Sequence, residues 1–149
     1  MDPPHRNAFE WEALCEQGAI PVFLIRHGQT SWNKERRFLG RSDIPLDEDG
    51  HAQATLLAQA LSTIPFDAVY SSPLSRAWAT ATKLAQPHGL EPEVLPGLTE
   101  LDQGELEGMK GVLLPERFPA FYQAWRADPT HVRVPGGETL AECQARVVS

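Results

Sequence analysis

Arg26-His27-Gly28 closes the apolar run Val22-Phe23-Leu24-Ile25. At the carboxyl end of a buried strand, this order sets a neutral imidazole nucleophile beside a fixed positive charge. The natural target of such a pair is a phosphate. An imidazole with an ordinary pKa of about 6.5 is largely neutral at pH 7 and can attack phosphorus in line. A hydrogen bond from its other ring N–H to backbone would hold the attacking nitrogen in the required tautomer. Arg76, at a helix start just after a strand, supplies a second guanidinium, whose planar fork matches phosphate oxygens. Asn33 and the backbone near Gly28 and Gly40 are further candidate donors. Glu100 is the candidate general acid and base, with Asp102, Glu105 and Glu107 close by, and residue chemistry alone does not choose among the four. His5, His51, His88 and His131 lie in a polar tail, the first turns of a helix, a helix-ending turn and a loop, and read as surface or structural residues.

The elements that must position these groups follow from spacing. Pro21 to Arg26 reads as a strand buried on both faces. A polar loop from Gly28 to Leu46 carries Lys34, Arg36, Arg37 and Arg41. Asp47 is an N-cap, with Glu48 and Asp49 in the first turn of a helix whose apolar stripe is Leu56, Leu57, Ala60 and Leu61. Ala68-Val69-Tyr70 is a short strand. Ser72-Pro73 opens the next helix, which Pro87 and Gly89 end. Glu93-Val94-Leu95 is a third strand. Phe118, Phe121, Tyr122 and Trp125 mark another amphipathic helix, and a last one begins near Glu138 with Leu140, Cys143, Val147 and Val148 on one face. Strands alternating with helices predict a layered α/β domain with a mostly parallel sheet. Residues 1–20, with a short helix over 9–17, read as an N-terminal extension to a domain over 21–149.

The chain has 149 residues and a net charge of −7, which disfavours nucleic acid and anionic membranes as partners. Met1 to Asn7 are polar and lack the apolar stretch of a signal peptide, and no run is long enough to cross a bilayer, so a cytoplasmic protein is expected. Cys15 and Cys143 read as reduced thiols. No His, Cys, Asp or Glu cluster has metal-site spacing, and the arginines already supply positive charge. Chemistry without a metal or other cofactor is expected. The expected partner is a small phosphorylated metabolite, and a homodimer is compatible with the sequence.

Five ordered segments resemble the histidine phosphatase superfamily, which includes the cofactor-dependent phosphoglycerate mutases. They are Arg26 to Asn33, Arg37 to Leu46, Ser71 to Ala77, Leu98 to Gly108, and Pro135-Gly136-Gly137-Glu138-Thr139. The resemblance implies a three-layer α/β/α sandwich with a mostly parallel central sheet. It implies a phosphohistidine at His27, Arg26 and Arg76 on the phosphate, and Glu100 as the acid and base in preference to its neighbours.

Members of the family carry a second active-site histidine in a strand beyond the Gly-Gly-Glu helix. This sequence reaches Ser149 within that helix, so the C-terminal strand is expected to be missing from it. A fragment of a longer protein is the favoured explanation, against a poorly folding gene product or a compact non-catalytic relative. The leading functional reading is a phosphomonoester hydrolase. The alternatives are phosphoglycerate mutase-type phosphoryl transfer, or an inactive phosphate-binding module. Residues 109–133 are expected to form a lid whose mixture of few cations and bulky apolar groups leans towards hydrolysis.

Overall fold

A computed structural model describes Gly18 and residues 20–148. The helix expected over 9–17, with His5 and Cys15, lies outside the described residues. The loop after His27 folds first into a short helix, α1 (Ser31–Lys34). Thr30 Oγ1 accepts from Asn33 N at 3.2 Å, and Asn33 Oδ1 accepts from Thr30 N at 3.0 Å. Such a reciprocal capping box satisfies two donors that a helix start leaves open. Helix α2 (Glu48–Leu61) begins as its sequence predicts, with Asp47 accepting from Gly50 N at 2.8 Å.

The buried face of α2 differs from the expected leucine stripe. Gly50, Ala54 and Ala58 point inward, whereas Leu56 is 65% exposed and Ala60 also faces outward. Two glycines decide this. A Cβ on Gly28 would lie 2.4 Å from Gly50 O, and one on Gly50 would lie 2.1 Å from Gln29 O. The backbone beside His27 therefore rests directly on the first turn of α2, and only the small-residue side of the helix can meet it. Both obstacles are backbone, so side-chain rotation cannot relieve them. Gly28→Ala is expected to cost roughly 1–3 kcal/mol, as overpacking does, read as a lower urea midpoint at unchanged slope. An unchanged midpoint would show that the contact is looser.

Strands β1 (Tyr70–Ser71) and β2 (Glu93–Val94) pair in parallel, as their order with the intervening helix predicts. They are the sheet among the described residues, so the larger central sheet of a three-layer sandwich rests on the family resemblance. Segment 21–26 departs from expectation. It forms no ladder, and Val22 and Leu24 are 77% and 93% exposed. An apolar run records a preference for burial, but a strand also needs neighbouring backbone on its edges. Its recorded ring contact is Phe23 edge-on to Phe66 at 5.3 Å, and Phe66 packs in turn on His88.

Helix α3 (Ser75–Ala85) packs on α2, burying Ala81, Leu84 and Ala85. Ser72 is not its cap, contrary to expectation. The N-cap position is Leu74, and the open donor of Ser75 is satisfied across the fold: Ser75 N and Oγ donate to Asp43 Oδ1 at 2.7 and 2.8 Å. Pro87 and Gly89 end the run through a 3₁₀ turn, with Gly89 at φ +66°.

A second core collects Leu101, Leu106, Leu114 and Val134. The predicted aromatic helix packs against it as α5 (Pro119–Ala127), preceded by α4 (Leu114–Arg117). Helix α6 (Leu140–Val147) starts at a Thr139–Glu142 capping box. Its Leu140 and Cys143 reach the core, while Val147 and Val148 remain exposed.

Candidate active site

His27 is half-buried, and its Nδ1 lies 2.6 Å from Gly28 O. A carbonyl can only accept, so Nδ1 carries the proton and Nε2 is left with the free lone pair. Burial pulls the imidazole below its ordinary 6.5; the Gly28 carbonyl opposes this, the charges of Arg76 and Arg26 reinforce it, and Glu100 opposes it. A neutral nucleophile thus persists to lower pH than for a free histidine. The acid limb of kcat/KM is expected to fall below pH 6.5. A pH–rate profile with an acid midpoint at or above that value would contradict this environment.

Gly28 N donates to Thr80 Oγ1 at 3.2 Å, so α3 holds the peptide next to the histidine. The Gly28 N–H, named from sequence as a candidate phosphate donor, already has this partner. Asn33 Oδ1 is committed to the α1 cap, which leaves its amide nitrogen as the group able to serve a ligand. Thr80 carried no signal in the sequence beyond its helical register.

Arg76 is 1% exposed. Its two terminal nitrogens donate to Ser42 O and Gly40 O, each at 2.7 Å. Burial lowers its pKa, while Glu100, Asp43 and Glu107 act to keep it charged. The same loop is held from the other side by Glu107, which accepts from Arg41 N at 2.7 Å, Ser42 N at 2.8 Å and Ser42 Oγ at 2.5 Å. Gly40 sits at φ +54°, and a Cβ there would meet Glu107 Oε1 at 2.1 Å. A buried cation that reads carbonyls and a carboxylate that reads N–H groups therefore clamp residues 40–42. Glu107 is thereby a loop anchor and not a free proton carrier.

Glu100 lies in an irregular, exposed stretch, and its Oε1 accepts from Leu101 N at 3.0 Å. The structure brings it, with Arg26 and Arg76, into the electrostatic surroundings of His27. Asp102 instead pairs with Arg41 at 3.3 Å and accepts from Gly104 N at 3.0 Å. Arg26 is exposed and lines a cleft beside His27 with Gly28, Gln53, Ala54, Leu57 and Thr80. Neither Arg76 nor Glu100 lines that cleft, whose other walls come from α2 and α3. Among the described residues no three His, Cys, Asp or Glu side chains gather as a metal-ligand set, and no helix is long and apolar enough to cross a membrane.

An imidazole with one free nitrogen, two nearby guanidiniums and a carboxylate define a site suited to phosphoryl groups. Residues 22–149 match the histidine phosphatase superfamily, branch 1, and the chain belongs to that family. It is 38% identical over 128 residues to phosphoserine phosphatase 1 of Hydrogenobacter thermophilus, covering 86% of this chain and 61% of that one. It is 36% identical to a probable phosphoglycerate mutase of Cronobacter sakazakii, at 86% and 60% coverage. The solved structure of a mycobacterial glucosyl-3-phosphoglycerate phosphatase in complex with VO3 superposes at a TM-score of 0.74 and 36% identity, covering 82% of this chain and 60% of that one. A putative α-ribazole-5′-P phosphatase of Escherichia coli gives 0.74 at 31% identity, with 83% and 61% covered. The chain spans about three fifths of the length of the curated relatives it matches.

Proposed function

We propose that the protein is a phosphomonoester hydrolase that works through a phosphohistidine on His27. The observation that carries this reading is the tautomer: Nδ1 is tied to Gly28 O, so Nε2 is the nucleophile, and burial beside Arg76 and Arg26 keeps it neutral. Nε2 attacks phosphorus as the ester P–O bond breaks. Arg26 and Arg76 hold the non-bridging oxygens, and each such donor contributes typically about 2.7–4 kcal/mol at the transition state. Glu100 gives its proton to the departing alkoxide. Its carboxylate then takes a proton from water, whose oxygen displaces His27 from phosphorus and regenerates the neutral imidazole.

The substrate is a small phosphorylated metabolite, in a cytoplasmic protein that does not engage nucleic acid and that can form a homodimer. Residues 1–20 are an extension to the phosphatase domain. Phosphatase names among its relatives support hydrolysis, and the probable phosphoglycerate mutases among them keep mutase-type transfer as the alternative.

The test is turnover of p-nitrophenyl phosphate in EDTA, with rapid acid-free quenching to trap an acid-labile, base-stable phosphoryl group on His27. Release of inorganic phosphate through that intermediate is expected. Return of the phosphoryl group to a sugar acid in preference to water would make the protein a mutase. A folded chain that binds vanadate yet forms no phosphohistidine would be a binding module.

A further inference from the structure

Glu100 has no helix or strand to set its position, yet an acid must stand within hydrogen-bond reach of the leaving oxygen. Three points of its segment are pinned by one ion pair. Arg146, on α6, donates to Gly97 O at 2.6 Å and to Glu100 O at 3.0 Å. It also grips Glu138 through two nitrogens, at 2.6 and 3.2 Å. Glu138 Oε1 accepts from Asp102 N at 2.9 Å, and Glu138 N donates back to Asp102 O at 3.2 Å. Arg41 reaches the other oxygen of Glu138 at 3.2 Å. The fit is close, since a Cβ on Gly97 would meet Arg146 O at 2.7 Å. Backbone is thus held at Gly97, Glu100 and Asp102, on both sides of the Glu100 side chain.

We infer that Arg146 and Glu138 are a positioning pair that sets the reach of the Glu100 carboxylate towards His27. The inference rests on the reading of Glu100 as acid and base. A planar fork is required, because a lysine ammonium is a single point and cannot serve two carbonyls and both oxygens of a carboxylate. Helix α6 keeps anchors independent of Arg146 in the Thr139–Glu142 capping box and in the packing of Leu140. Removing the fork should therefore move the segment more than the helix.

Two readouts separate positioning from general support. The first is the His27 ring titration, followed by NMR in the whole chain, which does not depend on turnover. Glu100→Gln is expected to lower the His27 midpoint by removing a nearby negative charge. Arg146→Lys keeps its charge and is expected to lower it too, and the double variant should match Glu100→Gln alone. The second is leaving-group dependence. Glu100→Gln should depress alkyl phosphate turnover about 10²-fold more than aryl phosphate turnover, and Arg146→Lys about tenfold more. Glu138→Gln is expected to repeat the Arg146→Lys result, and it serves if the lysine variant does not fold. Arg146→Lys and Glu138→Gln that leave the His27 titration unchanged, or add to the effect of Glu100→Gln, would overturn the positioning role while leaving Glu100 as the acid. A Glu100→Gln variant silent in both readouts would remove the acid assignment and the positioning role with it.

Discussion

Replacing His27 by alanine is expected to lower kcat/KM on an aryl phosphate by about 10⁴-fold or more, because the proposed intermediate forms on its Nε2. Among the described residues the other histidines offer no substitute: His88 packs on Phe66 in a helix-ending turn, His51 lies in the first turn of α2, and His131 is exposed in a loop. Stability should change little. The imidazole is half-buried, and its recorded bond is to its own neighbour's carbonyl. Vanadate should still bind through Arg26 and Arg76, since neither depends on the imidazole for its placement. The pairing of lost turnover with retained anion binding is the diagnostic result. It is read by steady-state kinetics in EDTA and by vanadate-dependent shifts in melting temperature. Retention of even a tenth of the original rate would rule out His27 as the nucleophile.

Arg76→Ala should damage activity and stability together, which separates it from His27→Ala. The side chain is almost wholly buried and carries the carbonyls of Gly40 and Ser42. Its removal leaves both acceptors without this donor and takes away the positive charge near Glu100, Asp43 and Glu107. Stranded buried groups cost about 1–3 kcal/mol each, so a loss of roughly 2–6 kcal/mol in urea unfolding is expected for the two carbonyls. Losing a donor to the phosphate would reduce kcat/KM by a further 10²- to 10³-fold, roughly the effect of removing one oxyanion donor. Arg76→Lys should keep the charge yet fail to span both carbonyls. It is expected to recover part of the anion affinity and little of the loop stability. Unchanged unfolding in Arg76→Ala would mean that Glu107 alone holds residues 40–42.

Loop clamps of this kind set the limit on what can be read from order along the chain. Local signals were legible where the physics is local. Asp47 caps α2 because its carboxylate meets an N–H three residues on, and Pro87 with Gly89 ends α3 because neither continues a helix. The parallel pairing of β1 and β2 followed from strand, helix and strand in sequence. Two capping boxes, Thr30 to Asn33 and Thr139 to Glu142, carried a readable spacing and could have been found in the same way. The cap of α3 could not. Asp43 lies 32 residues from Ser75, and only the folded loop brings its carboxylate there.

His27, Arg26 and Arg76 were legible in the amino-acid sequence as candidates because phosphoryl chemistry calls for an imidazole and guanidiniums at such motifs, and Glu100 was preferred to its acidic neighbours on the family resemblance. The family was recognisable for the same reason. Which acidic side chains are taken up in holding backbone was decided by tertiary structure. Glu107 and Glu138 have the same side chain as Glu100, but each is consumed by backbone N–H groups, and Glu138 also by Arg146 and Arg41, from distant parts of the chain. The fate of the Val22–Ile25 run was also a tertiary matter. Apolarity is a property of single residues, whereas burial and strand pairing need a neighbour, and local spacing does not encode who that neighbour is.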